Sequence, residues 1–93
     1  MQIYASIGNS DNKLSQEAWS IFCEKFEKKI QETATTVWGV WHSLPNSPWQ
    51  NMCISFSATD SAIEYLENAL KELRQVYLQD SIAWSKINKS EFI

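Results

Sequence analysis

The side chains able to do chemistry are few in this sequence, and the aromatic ones are crowded together. Trp38, Trp41 and Trp49, the single histidine His42 and both prolines fall between Thr33 and Thr59, a stretch without one Asp, Glu, Lys or Arg. Average charge content would place roughly six or seven charged side chains in such a length. Aromatic enrichment with charge depletion is the composition of an interface core, and rigid aromatics beside small polar groups suit a planar ligand. The expected binding residues are therefore Trp38, Trp41, His42, Asn46, Trp49 and Asn51. The indoles supply stacking area. His42, Asn46 and Asn51, with Ser47 and Gln50, supply polar groups for a ligand's edge. Pro45 and Pro48 stiffen the loop that offers Trp49.

Covalent and metal chemistry is thinly provided. Cys53 and His42 lie across a hairpin from each other and have the residue types of a nucleophile and its base. No third, orienting group accompanies them, and a cysteine inside a strand reads as a small hydrophobe. One histidine and two cysteines without C-x-x-C spacing do not build a metal site. The acids sit on helix surfaces, where nothing raises a carboxyl pKa toward the range a general acid wants. No catalytic residue, metal or cofactor is expected. Residues 8–13 lead into a helix N-terminus and include Lys13, which suits an anion. They lack the glycine spacings of the phosphate-binding loops, and Asp11 would repel an anion.

Ninety-three residues with 44% hydrophobic and 20% charged content describe one small globular domain, residues 1–93. No apolar run approaches the ~20 residues a membrane helix needs. The first seven residues lack the basic region and cleavage site of a secretory signal. A cytoplasmic protein with Cys23 and Cys53 reduced is the expectation. Eight basic residues against eleven acidic leave a net charge of −3, a poor match for phosphate backbones or anionic membranes.

The elements that must position the aromatic stretch follow from periodicity. Residues 2–7 alternate, with Ile3, Ala5 and Ile7 on one side, as a half-buried strand does. A helix is expected over residues 15–30: Ser15 caps it, and Ala18, Trp19, Phe22, Cys23, Phe26 and Ile30 share a face. Residues 33–42 are β-branched and aromatic and read as a strand. A proline-containing loop over 43–50 turns back into a strand over 51–58, where Met52, Ile54 and Phe56 alternate with Cys53, Ser55 and Ser57. A second helix begins at Thr59-Asp60-Ser61, Ser61 and Glu64 having capping-box spacing. Its apolar stripe is Ala62, Ile63, Leu66, Ala69, Leu70, Leu73, Val76 and Tyr77. Residues 81–87 form the last strand.

The order is β-α-β-β-α-β, the split βαβ or ferredoxin-like α+β plan, with two helices on one face of a four-stranded antiparallel sheet. At the end of the second helix, Tyr77-Leu78-Gln79-Asp80-Ser81-Ile82 resembles a junction found in small bacterial and phage proteins of ferredoxin-like type. The resemblance covers about six residues, implies the fold and carries no activity with it.

In this plan the second strand lies at a sheet edge, where proteins usually place Lys, Pro, a bulge or a cover. This one carries Val37, Trp38, Val40 and Trp41 instead. Strict alternation puts Val37 and Trp41 on one face and Trp38 and Val40 on the other, so one face needs a second cover. Gly39 as the mark of a bulge is the structural alternative. The functional expectation is a non-catalytic binding protein that self-associates, as a homodimer or larger assembly, and holds a small planar, nucleotide-like ligand at the hairpin. The rival is an inhibitor or immunity-type protein that neutralises a partner protein through the same hairpin. Cofactor-free oxygenases of the dimeric α+β barrel type use this fold, but fold alone does not warrant an activity. RNA-binding modules of similar plan need a basic aromatic strand, which residues 51–57 do not provide, so a nucleic-acid polymer is not an expected partner.

Overall fold

A computed structural model of the protein describes residues 1–9, 11–44 and 47–87. The elements are β1 (Gln2–Gly8), α1 (Gln16–Thr33), β2 (Thr36–His42), β3 (Asn51–Ser57), α2 (Asp60–Val76) and β4 (Ala83–Ile87). All neighbouring strands are antiparallel, in the order β2-β3-β1-β4, so the first and third strands are central. This is the ferredoxin-like arrangement expected from the periodicities.

Period two in β1 and β3 sends Ile3, Ala5, Ile7, Met52, Ile54 and Phe56 to one side, where they are buried. Period 3.6 in the helices returns Phe22, Phe26 and Ile30 of α1 and Ile63, Leu66 and Leu70 of α2 to meet them in one core. Both helices lie on that side, and the thinnest dimension of the molecule is 20 Å. That is one helix layer on one sheet. The other side of the sheet has no layer over it among the described residues.

Ser15 caps α1 by accepting from the Ala18 N–H at 3.1 Å. The helix runs three residues past the expected end, and the Ala34 N–H closes it on the Ile30 carbonyl at 2.8 Å, which delays β2 to Thr36. At α2 the cap is Thr59, which accepts from the Ala62 N–H, so Ser61 and Glu64 fall inside the helix and form no capping box. Val76, expected in the apolar stripe, is 73% exposed at the helix end. Tyr77 does join the core, its ring stacked on Phe22 at 4.9 Å.

The junction after α2 is a Schellman turn. The Gln79 N–H reaches the Arg74 carbonyl and the Leu78 N–H the Gln75 carbonyl. Leu78 stands at φ 55, where glycine is usual. Buried Gln79 donates its side-chain amide to the Tyr77 carbonyl at 3.2 Å, and Arg74 donates to the Gln79 carbonyl at 2.9 Å. These contacts turn the chain directly from helix into β4.

Candidate functional site

The edge strand β2 carries the decisive local feature. Its register against β3 pairs Val37 with Phe56 and Gly39 with Ser55, so Trp38 is an extra residue in a bulge. After the bulge Val40 pairs with Ile54, Trp41 with Cys53 and His42 with Met52. Residues directly opposite in an antiparallel pair share a face. Val37 and Val40 therefore both turn to the core, which they pack against, and Trp38 and Trp41 both turn to the open side. Strict alternation had separated those two indoles. One inserted residue unites them.

Both rings are seated. The Trp38 Nε1–H donates to Ser57 Oγ on β3 at 2.9 Å. The Trp41 ring is folded back across Gly39: a Cβ there would lie 2.6 Å from Cη2 and 2.8 Å from Cζ2, closer than atoms pack. Glycine at 39 is what lets the indole lie down on its own strand. Trp38 and Trp41 nevertheless remain 62% and 54% exposed. The ring–ring contacts among the described residues are Trp19–Phe22, Phe22–Tyr77 and Phe56–Trp84, all on the helix side. The two open-side indoles offer their surfaces to no other ring.

The face around them is uncharged. Registers place Tyr4 and Ser6 of β1, Cys53 and Ser57 of β3, and Ala83 and Ser85 of β4 on the same open side. No Asp, Glu, Lys or Arg stands there among the described residues. Lys86, the charged residue of β4, pairs with Ile3 and so faces the helices, beside Asp60 and Glu64. The polar groups of the face serve one another: Gln2 Nε2 donates to Ser55 Oγ at 3.1 Å, as Trp38 does to Ser57.

His42 does not belong to this face. It lines a cleft of about 490 Å³ on the opposite side, with Trp19, Ser20, Cys23, Glu24 and Glu27 of α1. Cys53 is on the open side, so the sheet separates the two and no nucleophile–base pair is assembled. Cys23 is buried, and burial, with Glu27 nearby, pushes its thiol up to about 11. It stays protonated and unreactive at neutral pH. Among the described residues no group of three His, Cys, Asp or Glu could hold a metal ion.

Trp49 is 67% exposed in the hairpin loop. Its backbone is held from both sides: Ser47 Oγ accepts from its N–H at 3.2 Å, and Asn51 Nδ2 donates to its carbonyl at 3.1 Å. Asn51 and Ser47 thus hold the loop. Asn46 and Pro45 lie outside the described residues. Gln50 is buried and occupied, accepting from Asn9 and Gln16 at 3.0 Å and donating to Gln16. Sequence reasoning missed this amide clasp, which joins positions far apart in the chain. It also missed Tyr4 as a member of the aromatic face, although Tyr4 alternates outward in a strand that is easily read.

The loop after β1 is a closed turn. Asn9 Oδ1 accepts from the Leu14 N–H and its Nδ2 donates to the Leu14 carbonyl, both at 3.0 Å. The Lys13 ammonium lies 3.5 Å from Asp11 and 3.3 Å from Asp80. Its charge is spent on carboxylates, which leaves little to attract an anion.

These features define a ferredoxin-like α+β domain with one helix-covered sheet face and one open, uncharged, tryptophan-bearing face. No protein-family model matches the chain, and a comparison with curated proteins finds no match. Among solved structures it is similar to the de novo designed protein Foldit4, with 12% identity and a TM-score of 0.58 over 96% of this chain and 94% of that one. At that identity the likeness is one of fold. No helix of the described residues is long and apolar enough to cross a membrane.

Proposed function

We propose that this is a non-catalytic, cytoplasmic binding protein that self-associates and holds a small, neutral, planar ligand on the Trp38–Trp41 platform. The observation that supports this most is the seating of the two indoles. One is pinned by Ser57 and the other lies across Gly39, so their surfaces are ordered before any ligand arrives. Preorganisation lowers the entropic cost of binding. Stacking on such rings contributes roughly 1–3 kcal/mol each, by analogy with bases on aromatic side chains. The uncharged surroundings favour a neutral ring system over a phosphorylated one. Two free cysteines fit a reducing compartment.

Tryptophan fluorescence titrated with adenosine, riboflavin and adenosine monophosphate tests the reading. A neutral probe should quench emission, and the monophosphate should bind no better than adenosine, with little dependence on salt. Trp41→Ala should weaken the neutral probe tenfold or more, about 1.4 kcal/mol. Binding unchanged in both Trp38→Ala and Trp41→Ala, with the fold intact, would remove the platform from consideration. A second reading, an inhibitor of a partner protein, draws on the breadth of the uncharged face, which extends over all four strands and exceeds what one planar ring covers.

A further inference from the structure

We infer that a second copy of the chain closes the open face, packed sheet to sheet, so that β2 of each protomer lies over β4 of the other and turns the indole platform into a slot. The inference rests on the platform reading for the slot's occupant, and on the face alone for the dimer.

Charge permits the contact. Each chain carries −3, and like-charged copies repel wherever their charges meet. On this face none do, because the charges of the described residues stand on the helices, the connecting loops and the helix side of β4. Desolvation is mild as well. The Trp38 N–H and the Ser55 and Ser57 hydroxyls already bond within the face, so covering them leaves few polar groups unpaired.

Relief chooses the orientation. The β2 half of the face is high, with two indoles. The β4 half is lower: Ala83 and Ser85 stand in the rows of the two indoles, with Ile87 beyond them and the single ring of Tyr4 on β1. A two-fold axis parallel to the strands lays high on low at both ends at once, and an axis across the strands would set indoles against indoles. Isologous contacts of this kind are the commonest in homodimers. Sheets stack about 10 Å apart. An indole folded onto one sheet and Ala or Ser on the other leave roughly one aromatic thickness between them at the rim. A planar guest would lie there with Trp38 and Trp41 beneath it and the second protomer's β4 above.

Area is sufficient. Strands about 4.8 Å apart and residues rising about 3.3 Å give the four-stranded face a projection of roughly 450 Å². Two corrugated faces of that size reach the ~1,000 Å² at which specific interfaces begin. The bulge at Trp38 meanwhile distorts the β2 edge, which disfavours the rival pairing of edge strand to edge strand.

Light scattering on the whole protein at about 100 µM, well above a micromolar Kd, should give a dimer. Ser85 is exposed on an edge strand, so Ser85→Lys should fold normally by circular dichroism while placing like charges inside the closed contact. It should yield a monomer, as should Ala83→Lys, whereas Glu64→Lys on α2 should leave the dimer intact. The monomeric variants should bind riboflavin tenfold or more weakly than the native dimer. A native monomer, or a dimer indifferent to both lysines, overturns the face-to-face contact, and the platform is then judged on Trp41→Ala alone. A monomeric Ser85→Lys protein that binds riboflavin as tightly as the dimer overturns the slot.

Discussion

The two faces of the sheet come from the same strands and have opposite fates. In β1 and β3 the residues turned toward the helices are Ile3, Ala5, Ile7, Met52, Ile54 and Phe56, all buried. Their immediate neighbours turned the other way are Tyr4, Ser6, Cys53, Ser55 and Ser57. A face that is to be packed for good takes aliphatic and phenyl side chains that interdigitate. A face that is to meet something in solution keeps small polar groups around a few large rings. Lysine and glutamate on this second face would have protected it from association, and none is present among the described residues. The contrast is the ground on which the open face is proposed as the binding surface, and each substitution below weighs one face against the other.

The largest effect belongs to the helix side. Phe56 is fully buried and meets the Trp84 ring edge-on at 6.0 Å. Phe56→Ala should cost about 3–5 kcal/mol in urea denaturation. Trp41→Ala, one strand away on the open side, should cost the single protomer under about 1 kcal/mol, because the residue is 54% exposed there, yet it should impair riboflavin binding. Equal losses of stability would mean that the open face is a second core and not a docking surface.

The cysteines repeat the comparison as a pH dependence. Burial raises the Cys23 thiol to about 11 from an ordinary 9.0. The unfolded chain releases this proton first, so folding binds the proton more tightly and stability falls as pH rises from about 9 to about 11. At about 1.4 kcal/mol per pH unit the loss approaches 2–3 kcal/mol. Cys23→Ala should flatten that part of the stability profile, and Cys53→Ala should leave it unchanged. Maleimide labelling at neutral pH of the monomeric Ser85→Lys protein should modify Cys53 and spare buried Cys23.

Gly39→Ala separates platform geometry from aromatic content. The added Cβ meets the Trp41 ring at 2.6 Å, so the ring must lift while every tryptophan remains. Riboflavin affinity should fall severalfold, about 1 kcal/mol, with a shift in tryptophan emission and near-native stability. Unchanged affinity would show that the seat of Trp41 is immaterial.

The legibility of these features in the sequence follows their physical range. Alternation in β1 and β3 and the stripe of α2 are dense local signals, and they led directly to the ferredoxin-like order. The run without charge marked the stretch that carries Trp38 and Trp41. Which way its indoles point was only half legible: Gly39 marked a bulge, and the register has one there, but the faces were assigned by strict alternation, and one bulged residue reverses the face of everything after it. Strict alternation therefore set Trp38 and Trp41 back to back and put His42 on the face of Trp38, whereas it lies on the helix side. The Asn9–Gln16–Gln50 clasp was hidden for another reason: its hydrogen bonds join residues up to 41 positions apart, and nothing in the local pattern announces them. Charge depletion drew attention to the segment, and only the register shows which face its rings take.

The smallest effect tests the link between the helix layer and the low half of the open face. Leu78 holds a left-handed conformation at φ 55 and is 76% exposed, so its side chain contributes little burial in return. A non-glycine residue there costs about 1–2 kcal/mol, partly offset by the ~0.5–1 kcal/mol of extra chain entropy that glycine loses on folding. Leu78→Gly should therefore stabilise the protein by a few tenths of a kcal/mol to about 1 kcal/mol, read as a higher denaturation midpoint with an unchanged slope. The Schellman bonds from Gln79 to Arg74 and from Leu78 to Gln75 are main-chain bonds and survive the change, so β4 keeps its place beside β1. Riboflavin affinity and the dimer should then be unaltered. Loss of either would mean that Leu78 itself reaches the proposed second protomer, and the boundary drawn between the packed face and the open face would have to move to include this turn.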